Sequence, residues 1–272
     1  MPPKKILKNT ITFTCAEVGE NHVGMEAINR QGLSGVRAAK GFSVDHLAKV
    51  ATYYAERGYD ARIFHLDPPE GYESDEPAAI LIVREFLNED HSRRLLEDAS
   101  ELEWDTKYLD TRRGKVLNKL KRKNLLFADF AQEPEYEKGK GRVVPIKELP
   151  TLAKTLRRIE KVFPLESLGI DKGLIAEGNF YPINKNGKED PNIGIGFHGD
   201  TERRIVIGFR VGEPMNLVYE WYQDAQRIGQ RYEFVLGSGD MYAMSNKATG
   251  YDWKKRSKVT LRHAAGSKKI TT

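Results

Sequence analysis

Between residues 173 and 266 the chain alternates apolar and polar positions in short runs broken by glycine, proline and charged turns, the pattern of strands that bury one face. It predicts strands over 174–181, 194–198, 204–211, 217–222, 232–236, 240–244 and 258–264, enough for a barrel or sandwich. The chain before it mixes two periods. Thr10 to Thr14 alternates as a strand does, and the stretch after Cys15 is rich in glycine and reads as irregular. Ser43 is a good N-cap for a helix whose apolar positions Val44, Leu47, Val50, Ala51 and Tyr54 share a face and which Gly58 ends. Residues 61–66 and 78–87 read as strands on either side of a loop rich in proline and acid, and a helix is predicted from His91 to Leu102. Helical spacing returns over 145–162, with Leu149, Leu152, Leu156, Ile159 and Val162 as its stripe.

These elements point to an α+β fold in two parts: a small α+β module over residues 1–103, and residues 104–272, whose strands suffice for a double-stranded β-helix (jelly-roll) barrel with supporting helices. A chain of 272 residues with 39% hydrophobic content is expected to fold by core burial alone. The single cysteine, Cys15, excludes an internal disulfide and a cysteine-rich zinc site, so metal chemistry rests on histidine and carboxylate. No run of about 18 apolar residues occurs. The opening Met1-Pro2-Pro3-Lys4-Lys5-Ile6 has no apolar signal core. Neither a membrane span nor secretion is expected, and the protein is expected in the cytoplasm or nucleus.

The net charge of +5 is mild, and its distribution says more. Seven cations fall within the twelve residues 112–123: Arg112, Arg113, Lys115, Lys119, Lys121, Arg122 and Lys123. If that stretch is helical, Val116, Leu117 and Leu120 give it an apolar side. A charge run is commonly a solvated face. Clustered Lys and Arg also release counterions from a polyanion, which makes nucleic acid, DNA or RNA, the candidate partner. The cluster runs into an aromatic and polar stretch from Asn124 to Gly141 that includes Phe127, so 112–141 reads as a basic substrate lid.

His198 and Asp200, two residues apart at the end of one predicted strand, are placed to share a metal ion. Two histidines and one carboxylate on one face of iron(II) leave three positions open for co-substrate and dioxygen. Among the six histidines, His263 lies in another apolar run, 63 positions after Asp200, and a barrel mouth gathers ligands from strands that distant. The candidate metal set is therefore His198, Asp200 and His263. His22, His46, His65 and His91 read as structural, and Tyr219, Trp221 and Tyr222 as core and rim packing.

Four motifs then carry a resemblance: Asn179-Phe180-Tyr181, Ile195-Gly196-Phe197-His198-Gly199-Asp200-Thr201-Glu202, Gly237-Ser238-Gly239-Asp240-Met241-Tyr242-Ala243-Met244 and Arg262-His263-Ala264. In this order they resemble the iron(II)- and 2-oxoglutarate-dependent dioxygenases, and within them the AlkB-like group. The resemblance covers about residues 173–266; the basic segment before it looks like the family's substrate lid, and residues 1–103 match nothing in it. It implies that His198, Asp200 and His263 hold iron(II) and that Asn179 and Tyr181 contact 2-oxoglutarate, with dioxygen as the second co-substrate. The implied activity is hydroxylation of a C–H bond on nucleic acid, which becomes oxidative demethylation when an N-methyl carbon is hydroxylated. The whole chain also looks similar to uncharacterised proteins of large DNA viruses, which would make it virus-encoded.

One part of the family pattern is missing. AlkB-like enzymes place an Arg-x5-Arg pair after the distal histidine, where a guanidinium fork holds the far carboxylate of 2-oxoglutarate. Only Ala264 to Thr272 follows His263, while Arg256 and Arg262 reproduce the spacing in a register whose distal ligand would fall near Asp252. With His263 as the ligand, the cation must come from elsewhere. Arg210 is the first candidate, since alternation sets it with Val206 and Gly208, opposite Ile205, Ile207 and Phe209; Lys268, Lys269, Arg203 and Arg204 come after it. Two other readings stand beside the nucleic-acid oxygenase: the same chemistry on a protein side chain or small molecule, and a non-catalytic module that has lost 2-oxoglutarate binding.

Overall fold

Strand β1 (Asn9–Ala16) shows how the layers arise, because Ile11, Phe13 and Cys15 point one way and Thr10, Thr12 and Thr14 the other, and nearly all of them are buried. A strand with an apolar and a polar face, both covered, belongs inside a protein with something on each side. The computed structural model describes residues 9–32, 35–182 and 192–272, so the opening hexapeptide lies outside the described residues. After β1 come a short hairpin, β2 (Gly19–Glu20) and β3 (Ala27–Ile28), helix α1 (Val44–Ala55), β4 (Ala61–His65), β5 (Ala79–Val83) and α2 (Glu89–Ser100). A second hairpin, β6 (Lys107–Asp110) and β7 (Lys115–Asn118), leads to β8 (Lys123–Ala128), β9 (Val143–Pro145) and α3 (Pro150–Glu160). The remainder is β10 (Ile175–Pro182), β11 (Gly194–His198), β12 (Ile207–Gly212), β13 (Met215–Gln223), β14 (Gln226–Leu236), β15 (Met241–Met244), β16 (Thr260–Gly266) and the short α4 (Lys268–Thr271). The fold is mixed α+β, mostly sheet with few helices.

An eight-stranded sheet runs in the order β4-β5-β15-β12-β1-β10-β8-β9, and a four-stranded sheet in the order β11-β16-β13-β14. One face of the large sheet carries Ile11, Phe13, Cys15, Phe127, Ile207 and Phe209 against Leu47, Val50 and Tyr54 of α1, Leu95 of α2, and Leu152, Leu156 and Ile159 of α3. Those helices form where their stripes predict: Ser43 caps α1 through the His46 N–H, Asn88 caps α2, and Pro150 occupies the first turn of α3. The other face meets the small sheet, with Ile80, Ile82, Val206, Tyr242 and Met244 packed on Leu217, Tyr219, Trp221, Leu236 and Leu261. No backbone pairing among the described residues joins the two sheets, so the strands face each other without closing a barrel.

Three expectations change here. The division at residue 103 does not follow the hydrogen bonding: β1 lies between β10 and β12, and β5 pairs with β15, so both parts of the chain build one sheet. The basic stretch is not helical; residues 107–118 form a hairpin turned at Gly114, which adopts a positive φ of 59°. The start of the expected lid is strand β8, paired with β10, and Phe127 is fully buried beside Phe13 and Trp104 because its side faces the helices.

Candidate metal centre

His198 and His263 sit directly opposite each other on the antiparallel neighbours β11 and β16. Simple alternation would not put them there. Ile195 pairs with Ala265 and His198 with His263, three steps on one strand against two on the other, so β11 carries a bulge. The extra residue re-aims His198 to the inner side, while Phe197 turns toward Tyr222, ring centroids 6.3 Å apart. Gly199 then lets the chain press against a neighbouring turn: a Cβ there would stand 2.0 Å from the Gly250 carbonyl oxygen and 2.7 Å from Trp253 Cδ1. The Asp200 N–H donates to the Thr249 carbonyl at 2.9 Å, which fixes the carboxylate between the two rings.

The ligating atoms of His198, Asp200 and His263 all lie within 4.8 Å of one another. Asp200 Oδ1 is 3.8 Å from His198 Nε2 and Oδ2 is 3.7 Å from His263 Nε2. His198 Nδ1 donates to the Gly196 carbonyl at 2.8 Å, leaving the Nε2 lone pair free to bind a cation. His263 is buried, its Nδ1 has no partner among the described residues, and its Nε2 stops beyond hydrogen-bond reach of Asp200. Burial holds both imidazoles below their usual pKa, and for His263 the neighbouring His198 and Arg203 add to the effect. Burial likewise raises Asp200, with Glu202 adding to it. Two imidazole nitrogens and a carboxylate this close together form a donor set able to hold a metal ion.

The triad lies on the small-sheet wall of a cavity of about 320 Å³. The opposite wall is the polar face of the large sheet. Register lines up Asn124, Asn179, Thr12 and Arg210 across four strands, and Glu177, Thr14, Gly208 and Tyr242 across another row. Gly208 is needed for the second row, since a Cβ there would lie 2.4 Å from the Tyr242 hydroxyl oxygen. Asn179 and Tyr181 both line the cavity; Asn179 Oδ1 accepts from Asn124 Nδ2 at 2.6 Å and Arg122 Nε at 2.7 Å.

Arg210 lies just behind Thr12, wholly buried, with Nε donating to Thr12 Oγ1 at 3.1 Å and Nη1 to the carbonyls of Met215 and Leu236. No described acid pairs with it, and burial lowers its pKa. Arg203, also buried, is already engaged by Glu177 at 2.6 Å and Glu202 at 2.8 Å. Arg204 lies 3.6 Å over the Tyr251 ring, and Lys269 donates to Asn192. Lys268 is exposed on α4.

The basic cluster is split by the hairpin. Arg112, Arg113, Lys115 and Lys121 are exposed, Lys123 lies 5.6 Å from the Phe180 ring centroid, and Arg122 alone of the seven lines the cavity. Lys119 is turned inward, donating to Asn21 and Asn124, and burial pushes it down to about 7. Thr12, Thr14, Glu177 and Tyr242 are cavity residues to which the sequence reading assigned no role, although Tyr242 falls in one of the four motifs. The signal for the first two was present, in the alternation of threonines with Ile11 and Phe13.

No model of a known protein family matches the chain. It is 41% identical to an uncharacterised protein, R156, of Acanthamoeba polyphaga mimivirus over 269 residues, 97% of this chain and 98% of that protein. The similarity to uncharacterised proteins of large DNA viruses therefore holds along the whole length. No helix among the described residues is long and apolar enough to cross a membrane.

Proposed function

The chain belongs to one family with mimivirus protein R156, and we propose that it is an iron(II)- and 2-oxoglutarate-dependent dioxygenase that hydroxylates a C–H bond on nucleic acid. The observation that carries this reading is the convergence of two imidazole nitrogens and one carboxylate within 4.8 Å on a cavity wall. That is the donor set of a facial triad, which leaves coordination positions open. The expected double-stranded β-helix draws support from two facing arrays, β11-β16-β13-β14 and β15-β12-β1-β10, although among the described residues they do not close into a barrel.

Iron(II) held by His198, Asp200 and His263 would supply dioxygen activation, with the balance substrate C–H, O2 and 2-oxoglutarate giving substrate C–OH, succinate and CO2. The rest falls to the protein. Arg210 is the group to receive the far carboxylate of 2-oxoglutarate: it is buried behind Thr12 and no described acid pairs with it. Thr12 relays its position to the cavity, and Asn179 and Tyr181 orient the remainder of the acid. The inter-sheet clusters around Tyr242 and Trp221 and around Tyr181 and Met215 hold the two cavity walls in place. Arg122, tied to Asn179, brings a cation of the basic segment to the cavity, which favours a polyanionic substrate.

The test is anaerobic addition of iron(II) and 2-oxoglutarate to the full chain, watching for the weak visible charge-transfer band of the chelate. Wild type is expected to give the band and His263→Ala to lose it. An unchanged band in His263→Ala would remove His263 from the triad, and no band in wild type would end the dioxygenase reading.

A further inference from the structure

One arginine beside the cavity has no use in the fold as described. Arg262 precedes His263 on β16 and so projects from the outer face of the small sheet. Its guanidinium carbon lies 3.9 Å from the Tyr222 ring centroid and 5.2 Å from that of Trp253. Among the described residues it makes no hydrogen bond or ion pair, and its Nε is buried without a partner. The acid opposite it in register, Glu220, is taken by Arg227 at 3.1 Å, Arg231 at 2.5 Å and the Tyr222 hydroxyl at 2.9 Å. Trp253 connects this arginine to the metal centre: it lines the triad's cavity together with Lys254 and packs on Gly199, between the two ligands of that strand.

A guanidinium stacked on aromatic faces keeps its in-plane N–H fork free, and that fork matches phosphate or carboxylate in a bidentate way. The rings hold the plane in advance, so little side-chain freedom is left to lose on binding. Arg262 and Lys254 both lie near the Trp253 ring, 5.2 and 5.6 Å from its centroid, and Arg122 stands on the large-sheet wall of the cavity that Trp253 and Lys254 line. Two cations on the cavity wall and a third reached across Trp253 on the outer face call for a ligand with repeated anionic groups rather than a single carboxylate. We propose that Arg262, steadied by Tyr222 and Trp253, is a phosphate clamp that grips the polynucleotide backbone beside the nucleotide entering the cavity. This rests on the nucleic-acid dioxygenase reading and adds to it a residue from the outer face of the small sheet.

The test measures binding of a labelled single-stranded oligonucleotide to the metal-free full chain by fluorescence anisotropy across a salt series, with thermal melts to check folding. Arg262→Gln is expected to weaken binding on the order of tenfold and to flatten the slope of log K against log salt by about 0.7. Arg262→Lys should restore the slope and not the affinity, because a point charge lacks the fork. Wild-type affinity in Arg262→Gln, or full recovery in Arg262→Lys, would reduce Arg262 to a packing residue or a bare charge and overturn the clamp. Should Arg262→Gln fail to fold, Lys254→Ala carries the test: it leaves the stack in place, and an unchanged salt slope would equally overturn the shared phosphate site. Failure of the two readings is distinguishable. A chelate band without oligonucleotide binding sinks the clamp and the nucleic-acid substrate but leaves the dioxygenase, and binding without a band sinks the dioxygenase.

Discussion

The two faces of the large sheet are both covered, yet their chemistry is opposite. Toward the helices β1 and β12 present Ile11, Phe13, Cys15, Ile207 and Phe209, a continuous apolar layer in which Phe13 stacks on Phe209 at 5.1 Å. Toward the small sheet the same strands present Thr10, Thr12, Thr14 and Arg210. A covered face built only for stability would be apolar on both sides, as strands buried between two layers commonly are. Burying a guanidinium without an acid works against stability. The apolar face therefore accounts for the fold, and the polar face for what the fold holds.

Substitutions that separate the two faces give the largest effects. Phe13→Ala, on the apolar side, leaves a cavity among Phe127 and Phe209 and is expected to lower unfolding free energy by about 3–5 kcal/mol, read by urea denaturation. A loss below about 1 kcal/mol would mean that this face is not the core it resembles. Arg210→Met, one strand away on the polar side, should leave stability unchanged or raise it, because methionine fills similar volume without a buried charge. Its cost falls on 2-oxoglutarate, whose affinity for the manganese-substituted protein is expected to drop roughly 30-fold or more by titration calorimetry, the loss of a charge-assisted bidentate contact. Undiminished affinity would transfer the carboxylate to another cation and leave the polar face without its explanation.

Much of this was legible in the residues, and the limits have physical causes. The helices and most strands follow from periodicity, as with β11, where 194–198 is both the expected and the observed span. His198, Asp200 and His263 meet as their spacing suggested. What periodicity could not reveal was partnership. The insertion of β1 between β10 and β12 is a long-range pairing that leaves no local trace, so Thr12 and Thr14 read as an ordinary strand and a boundary at residue 103 looked natural. The bulge in β11 is equally silent, although it decides which way His198 points. Phe127 misled for the opposite reason: an aromatic after a basic run suggests a stacking surface, and only the pairing of β8 with β10 shows that it faces the helices.

The smallest expected effect probes the edge of the polar face. Glu20, on β2, lines the cavity and accepts from the Gly24 N–H at 2.7 Å; burial pushes it up to about 7, with Glu202 and Glu177 raising it further and that hydrogen bond and Arg203 opposing. A carboxyl raised by folding binds its proton more tightly folded than unfolded, so ionisation costs stability. That cost is absent below the ordinary value near 4.5, grows as pH rises toward 7, and is complete above it. Glutamine keeps an oxygen for Gly24 and cannot ionise. Glu20→Gln in the metal-free protein should therefore match wild type in melting temperature near pH 4.5 and exceed it at pH 8. Solvent on the open side limits the gain to about 1 kcal/mol, or roughly 2–4 °C. An equal difference at both pH values would show that Glu20 ionises as freely folded as unfolded, and the cavity's polar face would then end at β1 and β10, short of the β2–β3 hairpin.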